Sequence, residues 1–174
     1  MAEIIAETAR LVIRRLRQED ITTVAALWCA PRVTRFMGGP RVFSDVCCSL
    51  RSDLSQSPPA RFDLWPVVEK ASASVIGHCG LLDKEIEGRT EIEVVYVITP
   101  PAWGHGYATE AARALRIHAE QGLGCHRLVA LVHPDNRPSA HVAEKVGLAF
   151  ERLVERPQGT MRLYAGLRRL DPLP

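Results

Sequence analysis

At 174 residues the chain can hold one ordinary domain with a substantial core, and its 22 Lys plus Arg against 20 Asp plus Glu leave a formal charge of only +2. That balance gives no electrostatic argument for nucleic acid, a membrane surface or a strongly acidic partner. The apolar stretches are too short to span a bilayer, and the opening "MAEIIAETARLVIRR" lacks the basic-then-apolar order of a secretory signal, so a soluble, cytoplasmic protein is expected.

In chain order, "RLVIRRL" (10–16) reads as a strand, and "EDITTVAALWC" places Ile21, Val24, Ala25 and Trp28 at helical spacing until Pro31 stops it. "PRVFSDVCCSLRSDL" predicts a second short helix and "SQSPPA" a loop. "RFDLWPVVEK" and "ASVIGHCGLLD" form two strands joined by a small polar turn, and "RTEIEVVYVI" (89–98) a third. From Gly106 to Gln121, Tyr107, Ala111, Leu115 and His118 recur at helical spacing, ended by "GLG". "HRLVALV" (126–132) is an apolar strand with "HPDN" as its turn, and Pro138 suits the first turn of a helix through Val146, with Gly147 as C-cap. "AFERLVE" and "TMRLYAGLRR" form a closing hairpin about "RPQG". The order favours one mixed α/β domain over residues 1–174, without internal repeat or linker. Five cysteines (Cys29, Cys47, Cys48, Cys79, Cys125) make no CxxC and no paired framework, so reduced, mostly buried thiols are expected.

The segment "TPPAWGHGYATEA" (99–111) joins the third of these strands to a helix through two glycines. A helix start offers unpaired N–H groups and the positive end of a dipole, so it binds phosphate without a basic side chain. Small residues at Gly104, Gly106 and Ala108 let an anion reach the amides. No Lys-Ser/Thr pair follows, which excludes a P-loop, and Thr109 at the third-glycine position breaks a dinucleotide fingerprint. On glycine spacing alone, a plain strand-to-helix turn without a ligand remains the alternative.

"EVVYVITPPAWGHGYATEA" followed by "LVHPDNRPSAHVAEKVGLAF" resembles the acetyl-CoA-dependent GNAT N-acetyltransferases, most closely their ribosomal-protein N-terminal acetyltransferase (RimJ/RimL-like) branch. The resemblance extends to "ARLVIRRLRQEDITTVAAL" and "VIGHCGLLD"; residues 41–62 stand outside it. It implies a mixed, strongly twisted sheet flanked by helices, whose two central parallel strands, here about 91–98 and 126–132, splay to admit the pantetheine arm of acetyl-CoA. Val95, Tyr96 and Val97 then lie beside the cofactor. The pyrophosphate meets the turn of Trp103, Gly104, His105, Gly106, Tyr107, Ala108 and Thr109. The family's usual form has Arg or Gln, two residues, Gly, one residue, then Gly or Ala. Gly106 and Ala108 fit it, whereas Trp103 replaces the Arg or Gln, as an aromatic does in many members of this branch. Phosphate binding is thereby left to the backbone.

Acetyl transfer by direct amine attack needs a neutral amine, a stabilised oxyanion and a protonated leaving thiolate. Glu93 is the first choice for the base, directly or through a water; Glu91, two residues earlier on the same face, competes. A solvent-facing carboxylate paired with Lys or Arg is the plain alternative. The resemblance puts the oxyanion on a backbone amide near Val95. The tyrosine that many relatives carry four residues before the glycine ending the last helix is Ala143 here. Ser139 is the candidate for the leaving-group side, against a helix-start hydroxyl that satisfies local backbone. Asn136 is placed near pantetheine by resemblance, against a simple Asx turn. Trp28, Trp65 and His78 are candidates for the acceptor side, with core packing the alternative for the tryptophans. The separations of His78, His105 and His133 resemble no zinc motif, so no metal is expected. The expected partner is an amine acceptor, a protein N-terminus or a small molecule, and a homodimer is compatible with this reading. The alternative class is a noncatalytic acetyl-CoA-binding regulatory module.

Overall fold

Largely buried apolar runs within residues 64–98 build three consecutive antiparallel strands, and the rest of the sheet grows from their two edges. The computed structural model describes residues 3–157 and 159–167. In order the chain forms β1 (Ile4–Glu7), β2 (Leu11–Arg14), α1 (Ile21–Cys29), α2 (Pro31–Thr34), α3 (Phe43–Ser55), β3 (Leu64–Glu69), β4 (Ser74–Ile86), β5 (Arg89–Ile98), α4 (Tyr107–Ile117), β6 (Arg127–Val132), α5 (Arg137–Lys145), β7 (Ala149–Arg156) and β8 (Gly159–Leu167). The strands make one sheet in the order β1-β2-β3-β4-β5-β6-β8-β7. Its neighbours are antiparallel except for β5 and β6, which run parallel.

Most expected elements are present. β1 is an addition, a four-residue edge strand with no buried residue and hence no alternation to announce it. Pro31 ends the influence of α1 and opens α2 at a position where its missing N–H costs nothing. The expected 106–121 helix is α-helical through Ile117 and then widens into a π-helical turn, His118–Gly122. Of the closing hairpin, Gln158 and the expected strand end at Arg168 and Arg169 lie outside the described residues.

Alternation assigns the two faces of β5. Val94 and Ile98 join the cluster beneath α4 and α5, with Leu11, Ile13, Trp65, Cys79 and Leu81. Val97, with Val95 at its margin, joins the cluster under α1 and α3, which includes Val24, Trp28, Val46 and Leu50. A third cluster on that second face (Ile86, Val129, Val154 and Leu163) ties the β7–β8 hairpin to the far end of β4. α1 is seated by a buried two-pronged ion pair from β2, Arg14 Nη1 and Nη2 to Asp20 at 2.6 and 2.9 Å. Removing one partner of such a pair costs about 3–5 kcal/mol, because the other charge is left buried and unmatched. Gly80 lets the chain entering β3 cross the sheet: a Cβ there would lie 1.9 Å from Asp63 O, the oxygen that accepts from Leu81 N–H at 3.0 Å.

Candidate active site

The turn between β5 and α4 is shaped by backbone. After Ile98, a 3₁₀ turn over Pro100–Ala102 redirects the chain, and Trp103 Nε1 donates back to Ile98 O at 2.6 Å. Gly104 and Gly106 have φ of +80° and +81°, a region that side chains with a Cβ rarely enter, and Gly106 caps α4. A Cβ on Gly104 would meet nothing within 4 Å and one on Gly106 only Arg10 Nη2 at 3.7 Å, so the space before the turn is open. Among the described residues, the amides of residues 104–109 donate to no backbone or side-chain acceptor. That is the donor set an anion needs.

Side chains from the β1–β2 turn hold this loop from behind. Arg10 Nη1 donates to His105 O at 3.1 Å, and Arg10 pairs with Glu110 at 2.5 Å. Thr8 Oγ1 donates to the same carboxylate at 2.5 Å. Tyr107 hydrogen-bonds Glu69 through its hydroxyl, with the Arg10 guanidinium 4.4 Å from its ring centroid and the His105 imidazole stacked on it. His105 Nδ1 lies 2.9 Å from Trp103 O and donates to it. Ala108 and Thr109 belong to the first turn of α4.

The second feature is the gap between β5 and β6. Their parallel pairing has one rung, Glu93 opposite Val129, whereas β6 pairs with β8 over six. Beyond Glu93 the peptide groups of Val95, Tyr96 and Val97 have no β6 partner in register among the described residues. Each face of β5 presents different chemistry here. On the α1/α3 face, Glu93 lies between the cluster of Val95 and that of its rung partner Val129. Its Oε1 accepts from Leu131 N–H at 3.4 Å. Burial pushes the Glu93 carboxyl above the usual carboxylate range, while Lys84, the Leu131 amide and Arg156 pull the other way.

On the α4/α5 face, Tyr96 donates its hydroxyl to Ser139 O at 2.9 Å and accepts from Ser139 Oγ at 3.1 Å. Burial pushes the phenol up to about 12, so it stays protonated. Asn136 caps α5, its Oδ1 accepting from Ser139 N–H at 3.3 Å, and thereby fixes the turn that carries Ser139. The gap therefore has a carboxylate on one face and a pair of hydroxyls on the other.

Several sequence candidates take other places. Trp28, Trp65 and His78 are buried, only 3, 1 and 4% exposed. Trp28 Nε1 donates to His78 Nδ1 at 3.0 Å, a contact that docks α1 on β4. Burial pushes the His78 imidazole down to about 4, so it is neutral at physiological pH. Trp65 opposes Cys79 and packs into the cluster beneath α4, against the His118 ring. Glu91 is buried and held by Arg127 Nε at 3.0 Å, and Arg127 also reaches Glu151 at 2.8 Å. Two contacts had no local signal in sequence: Arg10 with Glu110, a hundred positions apart, and Arg32 of α2, its guanidinium 5.3 Å from the Trp103 ring centroid.

A cavity of about 820 Å³ runs along the outer side of α4 against residues 5–10. It reaches Gly106 and Thr109 but none of Glu93, Tyr96 or Ser139. No helix among the described residues is long and apolar enough to cross a membrane.

A mixed α/β sheet whose only parallel pair among the described residues opens beside an amide-lined helix start is the fold that the sequence resemblance implies. A family model for the acetyltransferase (GNAT) domain matches residues 10–149. An uncharacterized N-acetyltransferase of Bacillus licheniformis, p20, is 31% identical over 154 residues, 84% of this chain and 83% of that protein. Bacillus subtilis YkkB is 32% identical over 101 residues, 58% of this chain and 59% of its own length. Among solved structures, RimL, titled ribosomal L7/L12 alpha-N-protein acetyltransferase, superposes with a TM-score of 0.78 over 97% of this chain and 96% of its own. At 15% identity that likeness concerns the fold alone. The chain belongs to the GNAT family of N-acetyltransferases.

Proposed function

We propose that this acetyltransferase takes acetyl-CoA as donor and the α-amino group of a protein or peptide N-terminus as acceptor. The donor side of the reading is supported by the open turn of residues 103–109, whose unused amides suit a diphosphate. Acetyl-CoA, once bound, supplies the thioester carbon that the amine attacks and a thiol as leaving group. Glu93 takes the proton of the attacking amine, directly or through one water. A peptide N–H near Val95, where β5 leaves β6, is the donor for the carbonyl oxygen. Ser139 turns its Oγ–H from Tyr96 toward the departing sulfur, while the Tyr96 hydroxyl stays on Ser139 O and keeps the turn in place.

The acceptor assignment is carried by the charges around Glu93. Its cationic neighbours are Lys84 and Arg156, and the adjacent acid, Glu91, is matched by Arg127. A polyamine's additional charges would find the acids named here already matched by cations. An α-amine has a pKa of about 7.7–8.0 against about 10.4 for an alkylamine, so neutralising it near pH 7 costs roughly 3.5 kcal/mol less. One buried carboxylate is sufficient for that task.

The test is release of free CoA with a panel of N-terminal peptides, spermidine, free amino acids and aminoglycosides. Peptides are expected to give the highest kcat/KM, and blocking their α-amine should abolish transfer. A higher kcat/KM for spermidine would overturn the acceptor assignment and leave the donor assignment standing.

A further inference from the structure

The proposed diphosphate turn carries no permanent cation of its own, since residues 99–109 contain neither Lys nor Arg. Two arginines approach it from distant parts of the chain, and they differ in what else they hold. Arg10 is fully engaged: Nε and Nη2 bond Glu110 at 2.7 and 2.5 Å, and Nη1 bonds His105 O at 3.1 Å. Its charge is matched and its donors point at a loop carbonyl, so it braces the turn.

Arg32 is placed differently. α2 carries its guanidinium to 5.3 Å from the centre of the Trp103 ring. Among the described residues it enters no salt bridge. Trp103 is a fixed platform, because its Nε1 is tied to Ile98 O at 2.6 Å, yet the residue is 43% exposed. The next residue, Gly104, begins the row of unused amides. An aromatic face orients a guanidinium without using its N–H donors, and those donors form a planar fork that matches two phosphate oxygens.

We infer that Arg32 is a ligand of the donor's diphosphate: held on Trp103, it supplies from α2 the cation that the turn lacks. This rests on the proposed placement of CoA at residues 103–109. It assigns Trp103 the role of a platform for a charge borrowed from another element.

The test compares wild type with Arg32→Gln in binding CoA, 3′-dephospho-CoA and pantetheine, by calorimetry for the first two and by competition for the third. Losing one charge-assisted fork should weaken CoA and dephospho-CoA by about tenfold alike, leave pantetheine unchanged, and be partly repaired by Arg32→Lys. Arg32 is exposed, so thermal melting of the variant should match wild type. Unchanged CoA affinity in Arg32→Gln would overturn the inference, as would an equal loss for pantetheine, which would mean a packing role. A wild-type protein that binds CoA no better than pantetheine would overturn the diphosphate site itself, and this inference with it.

Discussion

Residues 103–109 lie just beyond the end of β5 and Glu93 near its middle, but their surroundings are built from different materials. The turn is contiguous backbone, shaped by two glycines at positive φ and one tied indole. The Glu93 cleft is assembled from side chains on β4, β5 and β7 together with one β6 amide, between clusters that meet only in the folded sheet. Backbone amides keep their character across pH, whereas the cleft depends on the protonation of particular groups. Changes at the turn should therefore register as donor affinity, and changes around the cleft as rate and pH dependence.

The largest expected effect concerns the core under the cleft. His78 titrates near its ordinary value of 6.5 when unfolded but only at about 4 when folded, so the unfolded chain binds more protons between these values. Its contribution is complete above pH 6.5 and is lost as pH falls through 4, amounting to about 3 kcal/mol. Denaturant melts at pH 7 and 4.5 should show the decline, and His78→Phe should flatten it while lowering stability at pH 7 by leaving Trp28 Nε1 without its acceptor. Next, Glu93→Gln should cut kcat about a hundredfold, the usual scale for a general base, without altering CoA affinity. Because burial raises the Glu93 pKa, the acid limb of wild-type kcat should lie above the ordinary carboxylate range and vanish in the variant. Undiminished transfer across pH would remove Glu93 from the mechanism.

Gly106→Ala is the converse probe. Forcing alanine to φ +81° costs about 1–2 kcal/mol, expected as a CoA affinity about tenfold weaker with the pH profile unmoved. A shifted pH profile would erase the distinction between turn and cleft. The smallest change is Ser139→Ala, a few-fold loss in kcat for one hydroxyl worth about 1 kcal/mol. Tyr96→Phe should add little to it, because the two hydroxyls bond each other. Additive losses would show that they act separately.

The same contrast explains what the sequence made legible. The turn is local, so glycine spacing before an amphipathic helix pointed to it, and the resemblance supplied the splayed strands. The Ser139 turn was also local, through Asn136 and Pro138. Trp28, Trp65 and His78 could be proposed for a cleft because composition does not tell which side of a sheet helices cover; the structure places all three in the core. Glu91 and Glu93 looked alike at two-residue spacing. They were separated by Arg127 on a later strand, a contact no local pattern announces. β1 was silent for the opposite reason, being too short and exposed to carry an alternation.

The most direct test of the donor site is a crystal structure of the protein with CoA. Diphosphate oxygens are expected within hydrogen-bonding distance of the amides of residues 104–109, and the thiol between β5 and β6 beside Ser139. Phosphates seated instead in the cavity between residues 5–10 and the outer side of α4, with the β5–β6 gap closed, would contradict that placement.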